Sequence, residues 1–319
     1  MMSDMPILHH ANKDQSTRSK NARRYELLDD DGKDVESLQD RGVLARLDRS
    51  VTRWQEYLQA HSMRYLISIF GVILAGAMLF MPSPYVVEIP GPTRNVLGES
   101  GGSQIISISG ATTYADTGQL LMLTVNASGL PGYPVPNVYA LWGWASPHME
   151  VLPQEAIFPK GQTAEEYQEE TDAEMSESQS AAQTAALAYA KKLGVDVSNV
   201  KVSMHIDDIG GPSAGMMYTL GVIDKLTEQD ESGGKTIAGT GTIDKDGNVG
   251  AIGGIRLKMI GAKRDGATWF LAPASNCDEV VGHVPPGLTD VKVSNIDEAY
   301  QALVAIGSGN TQGLEHCTA

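Results

Sequence analysis

The sequence predicts a mixed α+β body behind a single N-terminal transmembrane helix, and three observations carry that reading. Residues 65–81 form one uncharged apolar run. After it the chain is strand-rich at first and then alternates strand and helix, an order that builds mixed α+β domains. The alternating half holds Gly210-Gly211-Pro212-Ser213-Ala214-Gly215, followed by Met216, Met217, Leu220, Ile223 and Leu226 at helical spacing. One hydroxyl thus lies among small residues at the start of a helix, where free N–H groups and a partial positive charge suit an oxyanion.

The 319 residues, 42% hydrophobic and 20% charged, are enough for a buried core. The net charge of −15 is unevenly spread. Residues 1–64 carry 11 basic and 11 acidic side chains, so the whole deficit falls on the remainder. An acidic body lacks the basic footprint that phosphate binding needs, which excludes nucleic acid as a partner. Two cysteines without a CxxC pair, and histidines without an HExxH, call for neither a metal nor a cofactor. His9-His10 is too short to be a metal tract. Spacing alone leaves pairing of Cys277 with Cys317 open, and the polar surroundings of Cys317 speak against it.

Residues 1–36 are polar, without apolar period, and read as a disordered cytoplasmic arm. Residues 37–63 read as an amphipathic cytoplasmic helix, with Val43, Leu44, Leu47, Val51, Trp54 and Leu58 at helical spacing and arginines between them. Residues 64–82 read as the transmembrane helix, at the short end for a span. Arg41, Arg46, Arg49, Arg53 and Arg64 precede it and only Arg94 follows closely, so the N-terminus is expected inside and the body outside. That body, 83–308, is extracytoplasmic on this reading, and 309–319 form a flexible tail.

Within the body, residues 85–89 read as a short strand ended by Pro90-Gly91-Pro92, and 105–109 and 119–125 as further strands. Residues 129–160, rich in proline and carrying Trp142 and Trp144, read as a long ordered loop that grips a substrate or subunit, or else packs on its own sheet. Thr163 and Glu166 offer a capping box for a helix running to Leu193, with Gly194 as its stop. Strands are expected at 200–206, 235–243, 268–272 and 291–293, a turn at Asp246-Gly247-Asn248, and helices at 255–264 and 296–306.

A serine becomes a nucleophile only when a neighbour takes its proton. Gly211-Pro212-Ser213-Ala214-Gly215 fits the G-x-S-x-G elbow, which wants an acid and then a histidine downstream. Asp278 with His283, or His316, could be put to that use, but neither follows a strand that would hold it. His205 and Asp207 fall on one strand face, and a satisfied strand histidine is the plainer reading. Lys258, in the first turns of the helix after Gly253-Gly254, is the better base, because the positive helix end and burial both disfavour its ammonium form. Composition by itself favours a solvated lysine there.

Residues 210–273 resemble the proteolytic domain of the Lon family of serine–lysine peptidases. The resemblance rests on Gly211-Pro212-Ser213-Ala214-Gly215, then Gly239-Thr240-Gly241-Thr242-Ile243, then Ile252-Gly253-Gly254-Ile255-Arg256-Leu257-Lys258, then residues 266–273. Looser similarity extends it over about 105–308. It implies a Lon proteolytic-domain-like fold, Ser213 as nucleophile and Lys258 as base. It also implies that Thr240 orients the lysine, and that Gly211, Pro212 and Ala214 form the nucleophile turn and oxyanion region.

The departures are informative. Glu231-Ser232-Gly233-Gly234-Lys235-Thr236 has the tail of a nucleotide-binding loop, but Gln229 stands where its first glycine belongs, so no ATP is expected. Gly210 replaces an acidic residue common before the family motif. The anchor and Pro90-Gly91-Pro92-Thr93 resemble the bacterial membrane-anchored, ATP-independent Lon-like type. Many of these carry a PDZ domain before the serine strand, where this chain has room for none. The resulting expectation is a membrane-anchored serine endopeptidase with a Ser–Lys dyad, acting outside the cytoplasm on protein or peptide substrates. Residues 64–82 would contact membrane lipid, with room for a homo-oligomer because domains of this family tend to form rings. A serine–histidine hydrolase and a catalytically inactive membrane-anchored scaffold with the same fold are the alternatives.

Overall fold

The computed structural model describes residues 51–57, 59–205 and 211–318, which fall into two compact units divided after Ala77. In the first unit, residues 51–57 and 59–60 are helical, and helix α1 (Met63–Leu79) follows. The expected arm and most of the expected amphipathic helix lie outside the described residues. Helix α1 buries none of its side chains, and Ile67, Phe70, Val72 and Ile73 stand exposed. The expected span over 64–82 is shorter in the structure. The helix gives way to a turn at Phe80, before Pro82 and Pro84. Among the described residues no helix is long and apolar enough to cross a membrane. At 1.5 Å per residue, 17 residues reach about 26 Å, less than the roughly 30 Å of a hydrocarbon core.

The second unit is built on β1 (Tyr85–Asn95), the small hairpin β2 (Glu99–Ser100) and β3 (Ser103–Gln104), β4 (Ile106–Ser109) and β5 (Gln119–Ser128). Helix α2 (Asn137–Ala145), β6 (Glu150–Pro153), α3 (Gln154–Ile157) and the long α4 (Ala164–Lys192) come next. Then follow β7 (Lys201–Met204), α5 (Gly215–Leu226), β8 (Thr236–Gly239), β9 (Thr242–Ile243), β10 (Val249–Gly250) and α6 (Ile255–Arg264). The last elements are β11 (Trp269–Pro273), α7 (Cys277–Val280), β12 (Thr289–Val293) and α8 (Ile296–Ser308). Six strands form one mixed sheet in the order β12-β11-β8-β5-β1-β6. Pairing is parallel from β12 to β5 and antiparallel onward to β6. Strand β1 continues through Pro90-Gly91-Pro92 to Asn95 rather than ending there, because a register shift between Pro90 and Thr93 accommodates the prolines.

The sheet is covered on both faces, so its central strands are apolar throughout rather than alternating. Leu120 and Met122 of β5 face a core shared with α4, α5 and α8, while Leu121 and Leu123 face a second core with α6. Helix α5 has a single half-exposed residue, Lys225, with all others buried. It packs on the alanine face of α4, where Ala182, Ala185, Ala186 and Ala190 are buried. The capping box of α4 is formed: Glu166 N donates to Thr163 Oγ1 at 3.1 Å, and Thr163 N donates to Glu166 Oε2 at 2.9 Å.

Two stretches differ from expectation. Residues 129–160 are no loop: they hold α2, α3 and the edge strand β6, which pairs with β1. The expected flexible tail is tied down along β12. Lys292 N donates to Glu315 O at 2.8 Å, Cys317 N donates to Asp290 Oδ2 at 2.7 Å, and Cys277 and Cys317 form a disulfide. The polar sequence of the tail is satisfied by a sheet edge, which spacing could not reveal.

One polar cluster sits inside the unit. Asp224 of α5 is buried, and its carboxyl faces that of Asp116 in the loop before β5. Two carboxyls can bond only if one keeps its proton. Burial, then the hydrogen bond and charge of Asp116, push Asp224 up to about 10. Burial alone would raise Asp116 too, but hydrogen bonds from Asp224, Gly118 N and Ser232 Oγ hold it well below the usual range. The folded state therefore carries a proton on Asp224 that the unfolded chain, near 3.8, has lost. The resulting stabilisation is fully present below about pH 4 and declines as pH rises toward 10. In Asp224→Asn a permanent N–H replaces the shared proton. Its thermal midpoint should fall less between pH 6 and pH 10 than that of the native protein; equal slopes would show that Asp224 carries no proton.

Candidate active site

Ser213 lies in a short 3-10 turn, Pro212–Ala214, that leads directly into α5. Gly211 precedes it at φ 92°, a conformation that favours glycine. The carbonyl of Ser213 accepts two hydrogen bonds, from Gly241 N at 2.8 Å and Thr240 Oγ1 at 3.1 Å. Met216 N donates to Gly241 O at 3.0 Å, so the turn is laced to the break between β8 and β9. On the other side, Ser178 of α4 donates its hydroxyl to Pro212 O at 3.0 Å. Gly215 is required by this close approach: a Cβ there would meet Ile243 Cγ2 at 2.8 Å and Ser178 Oγ at 2.9 Å.

Lys258 projects from the first turns of α6, where its N–H bonds Gly254 O at 3.0 Å. It is 3% exposed, and its Nζ donates to Thr240 Oγ1 at 3.4 Å. Thr240 thus touches both partners, donating its own proton to Ser213 O. Burial pulls the lysine down to about 8, against the charge of Glu88, which raises it. A change of that size is differential destabilisation of the ammonium by about 3 kcal/mol. Glu88 on β1 is itself pushed up by burial, then by Glu150 opposite it on β6, and held down by Lys258. Ser213, Ala214, Gly211, Lys258 and Glu88 line one cavity of ≈ 190 Å³, with strand β5 from Met122 to Ala127, Ile157 and Tyr167 on its walls.

Ser213, Lys258, Thr240 and the turn residues Gly211, Pro212 and Ala214 are therefore gathered in one place. Among the described residues, Ser213 Oγ makes no hydrogen bond to Lys258; the lysine meets Thr240 instead. The histidines offered as alternatives lie elsewhere. His283 bonds Arg256 and Val281 O, and His316 bonds Asp290 O. His205 closes β7, its N–H donating to Ile105 O at 2.9 Å, and does not line the cavity. Asp207 and Gly210 lie outside the described residues. Sequence reasoning missed Ser178 and Glu88. Ser178 had no signal. Glu88 had one: it is the first charged residue after Arg64 and the lone charge in a strand otherwise apolar up to Thr93.

The site gathers a buried lysine, a threonine and a glycine-flanked serine turn in a mixed α/β body. The match to known proteins is more specific. Residues 138–305 match the model of the Lon protease (S16) C-terminal proteolytic domain, and the chain belongs to that family. It is 33% identical over 152 residues to Lon protease 2 of Herpetosiphon aurantiacus, covering 44% of this chain and 18% of that one. It is 38% identical over 104 residues to the Lon protease of Clostridioides difficile, covering 31% and 13%. With Lon protease 1 of Bacillus subtilis, identity is 34% over 94 residues, covering 28% and 12%. The chain thus spans less than a fifth of the length of these relatives.

A base must be neutral to accept a proton, so a reaction that uses Lys258 should speed up as pH rises through about 8. In Glu88→Gln the charge that favours the ammonium is gone, so the midpoint of the pH profile of kcat/KM should move to lower pH. An unmoved midpoint would show that the field of Glu88 does not reach the lysine.

Proposed function

We propose that this chain is a membrane-anchored serine endopeptidase that uses a Ser213–Lys258 dyad without ATP. The observation that carries it is the buried Lys258, joined through Thr240 to the carbonyl of the only serine in a glycine-flanked turn at the head of a buried helix. In the reaction, Ser213 Oγ attacks the carbonyl carbon of a peptide bond and gives its proton to neutral Lys258 Nζ. Rotation of the flexible lysine stem brings Nζ from Thr240 to the serine hydroxyl. The tetrahedral oxyanion is held by N–H groups of the turn. Gly215 and Met216 have their N–H groups engaged with Pro212 O and Gly241 O, and Pro212 has none, so the N–H groups of Gly211, Ser213 and Ala214, which bond no backbone carbonyl among the described residues, are assigned that role. Collapse expels the amine, which takes the proton back from Lys258, and water then hydrolyses the acyl-enzyme by the same route.

Attachment to a membrane is supported by α1, an apolar helix with nothing buried, and by the arginines before it. A site outside the cytoplasm is supported by the Cys277–Cys317 disulfide, since such bonds persist in oxidising compartments. Independence from ATP is supported by the absent first glycine of the loop before Lys235, and by the burial of Glu231 and Ser232 in it. Substrates that need no unfolding, such as loosely folded chains or termini near the membrane, fit such an enzyme.

Ser213→Ala and Lys258→Ala should each lower peptide cleavage by about 10³-fold or more while thermal unfolding stays cooperative. A serine-acylating probe should label native protein at Ser213 and leave Lys258→Ala unlabelled. Cleavage retained in Lys258→Ala would sink the dyad, and absence of labelling and cleavage in the native protein would leave an inactive scaffold.

A further inference from the structure

Helix α2 packs upside down for a helix in water. Its buried residues are the small ones, Ala140 and Gly143, and four of its five large ones face out: Val138 is 39%, Leu141 48%, Trp142 67% and Trp144 57% exposed, with Tyr139 partly buried. The inversion is built in. A Cβ on Gly143 would meet Val151 Cγ2 at 2.5 Å and Val87 Cγ1 at 3.4 Å, so the helix sits down on the sheet through its glycine. Val138, Leu141 and Trp142 share one face by helical spacing. A water-facing helix puts polar residues there.

The first turn of α2 is tied to residues 78–82. Asn137 N donates to Met81 O at 3.0 Å, its Nδ2 donates to Met78 O at 2.9 Å, and Pro82 bridges Pro136. Phe80 and Met81, 76% and 56% exposed, therefore adjoin the helix. No Asp, Glu, Lys or Arg occurs in residues 65–87 or 117–149. A protein partner would ordinarily be met with a polar, charged rim. A helix face of Val138, Leu141 and Trp142 without a charged side chain of its own, next to the exposed Phe80 and Met81, has the chemistry of the boundary between lipid headgroups and acyl chains.

We propose that α2 docks on a lipid bilayer surface, with Val138, Leu141 and Trp142 entering the headgroup–acyl boundary beside Phe80 and Met81. The inference rests on the membrane attachment proposed above and adds a second contact to it. It also answers the length of α1. A helix about 4 Å short of the hydrocarbon thickness draws its flanking residues into the interface, and those residues are the ones tied to α2. The catalytic unit is then held against the membrane at two points rather than swinging on one.

The test uses the full chain reconstituted in vesicles of phosphatidylcholine and phosphatidylglycerol. Trp54→Phe, Trp144→Phe and Trp269→Phe together leave Trp142 as the reporter. The protein should float with the vesicles, and Trp142 emission should shift to shorter wavelength and be quenched by lipids brominated near the headgroup end of the acyl chain. Should the triple variant not fold, Trp142→Phe in the otherwise native chain should remove part of the bromolipid-quenched emission. Flotation with Trp142 unquenched overturns the docking alone, whether the face meets water or a second copy detected by crosslinking. Failure to float overturns the docking and the membrane attachment together.

Discussion

The carbonyl of Ser213 receives hydrogen bonds from Gly241 N and Thr240 Oγ1, and much of the site depends on this pair. They join the turn that carries the serine to the end of β8, a strand in the middle of the sheet. Thr240 also accepts from Lys258, so one residue at a strand end sets the serine relative to the lysine. The surroundings make that strand end rigid. Gly239 approaches Met217 so closely that a Cβ there would lie 2.6 Å from its Sδ, and α5 is buried along nearly its whole length. A site held by strand and helix termini keeps its geometry better than one carried on loops.

The same burial that fixes the geometry sets the electrostatics. Lys258 loses water on entering the space between α6 and β5, which brings its pKa near the pH at which it would serve as a base. Glu88 opposes that shift without forming an ion pair with it among the described residues, so the lysine is tempered rather than locked in its charged form. Elsewhere the fold buries Asp116 and Asp224 together and solves the problem with a proton. Both cases follow from one rule, that a buried ionisable group must find a partner or change its charge.

Local signals read well wherever the chemistry was local. The capping box at Thr163 and the glycines after Leu193 and Asp265 set helix ends, with Gly194 at φ 93° and Gly266 at φ 90°. The helix over 255–264 has the expected bounds. Long-range pairing was illegible. Strand β6 belongs to the sheet only because β1 lies beside it, and α2 forms where proline and tryptophan suggested an irregular loop. The tail looked free because its partners, Asp290, Lys292 and Cys277, are distant in sequence. The apolar run near residue 65 was legible as a helix, but its end at Leu79 reflects the prolines and the backbone links to residues 135–137.

The sequence by itself determined the identity of the chemical groups: Ser213 in a glycine-flanked turn, Lys258 in the helix after Gly253-Gly254, Thr240 between them, and the acidic balance of the body that holds them. Residue type and short spacing are enough for that, because turns and helix starts are made by neighbours. Only the tertiary structure decided that the lysine is buried, that Glu88 stands within its field, that Ser178 steadies the turn and that α2 turns its large side chains outward. Those facts depend on which elements pack together, and packing is set by contacts between residues far apart in the chain.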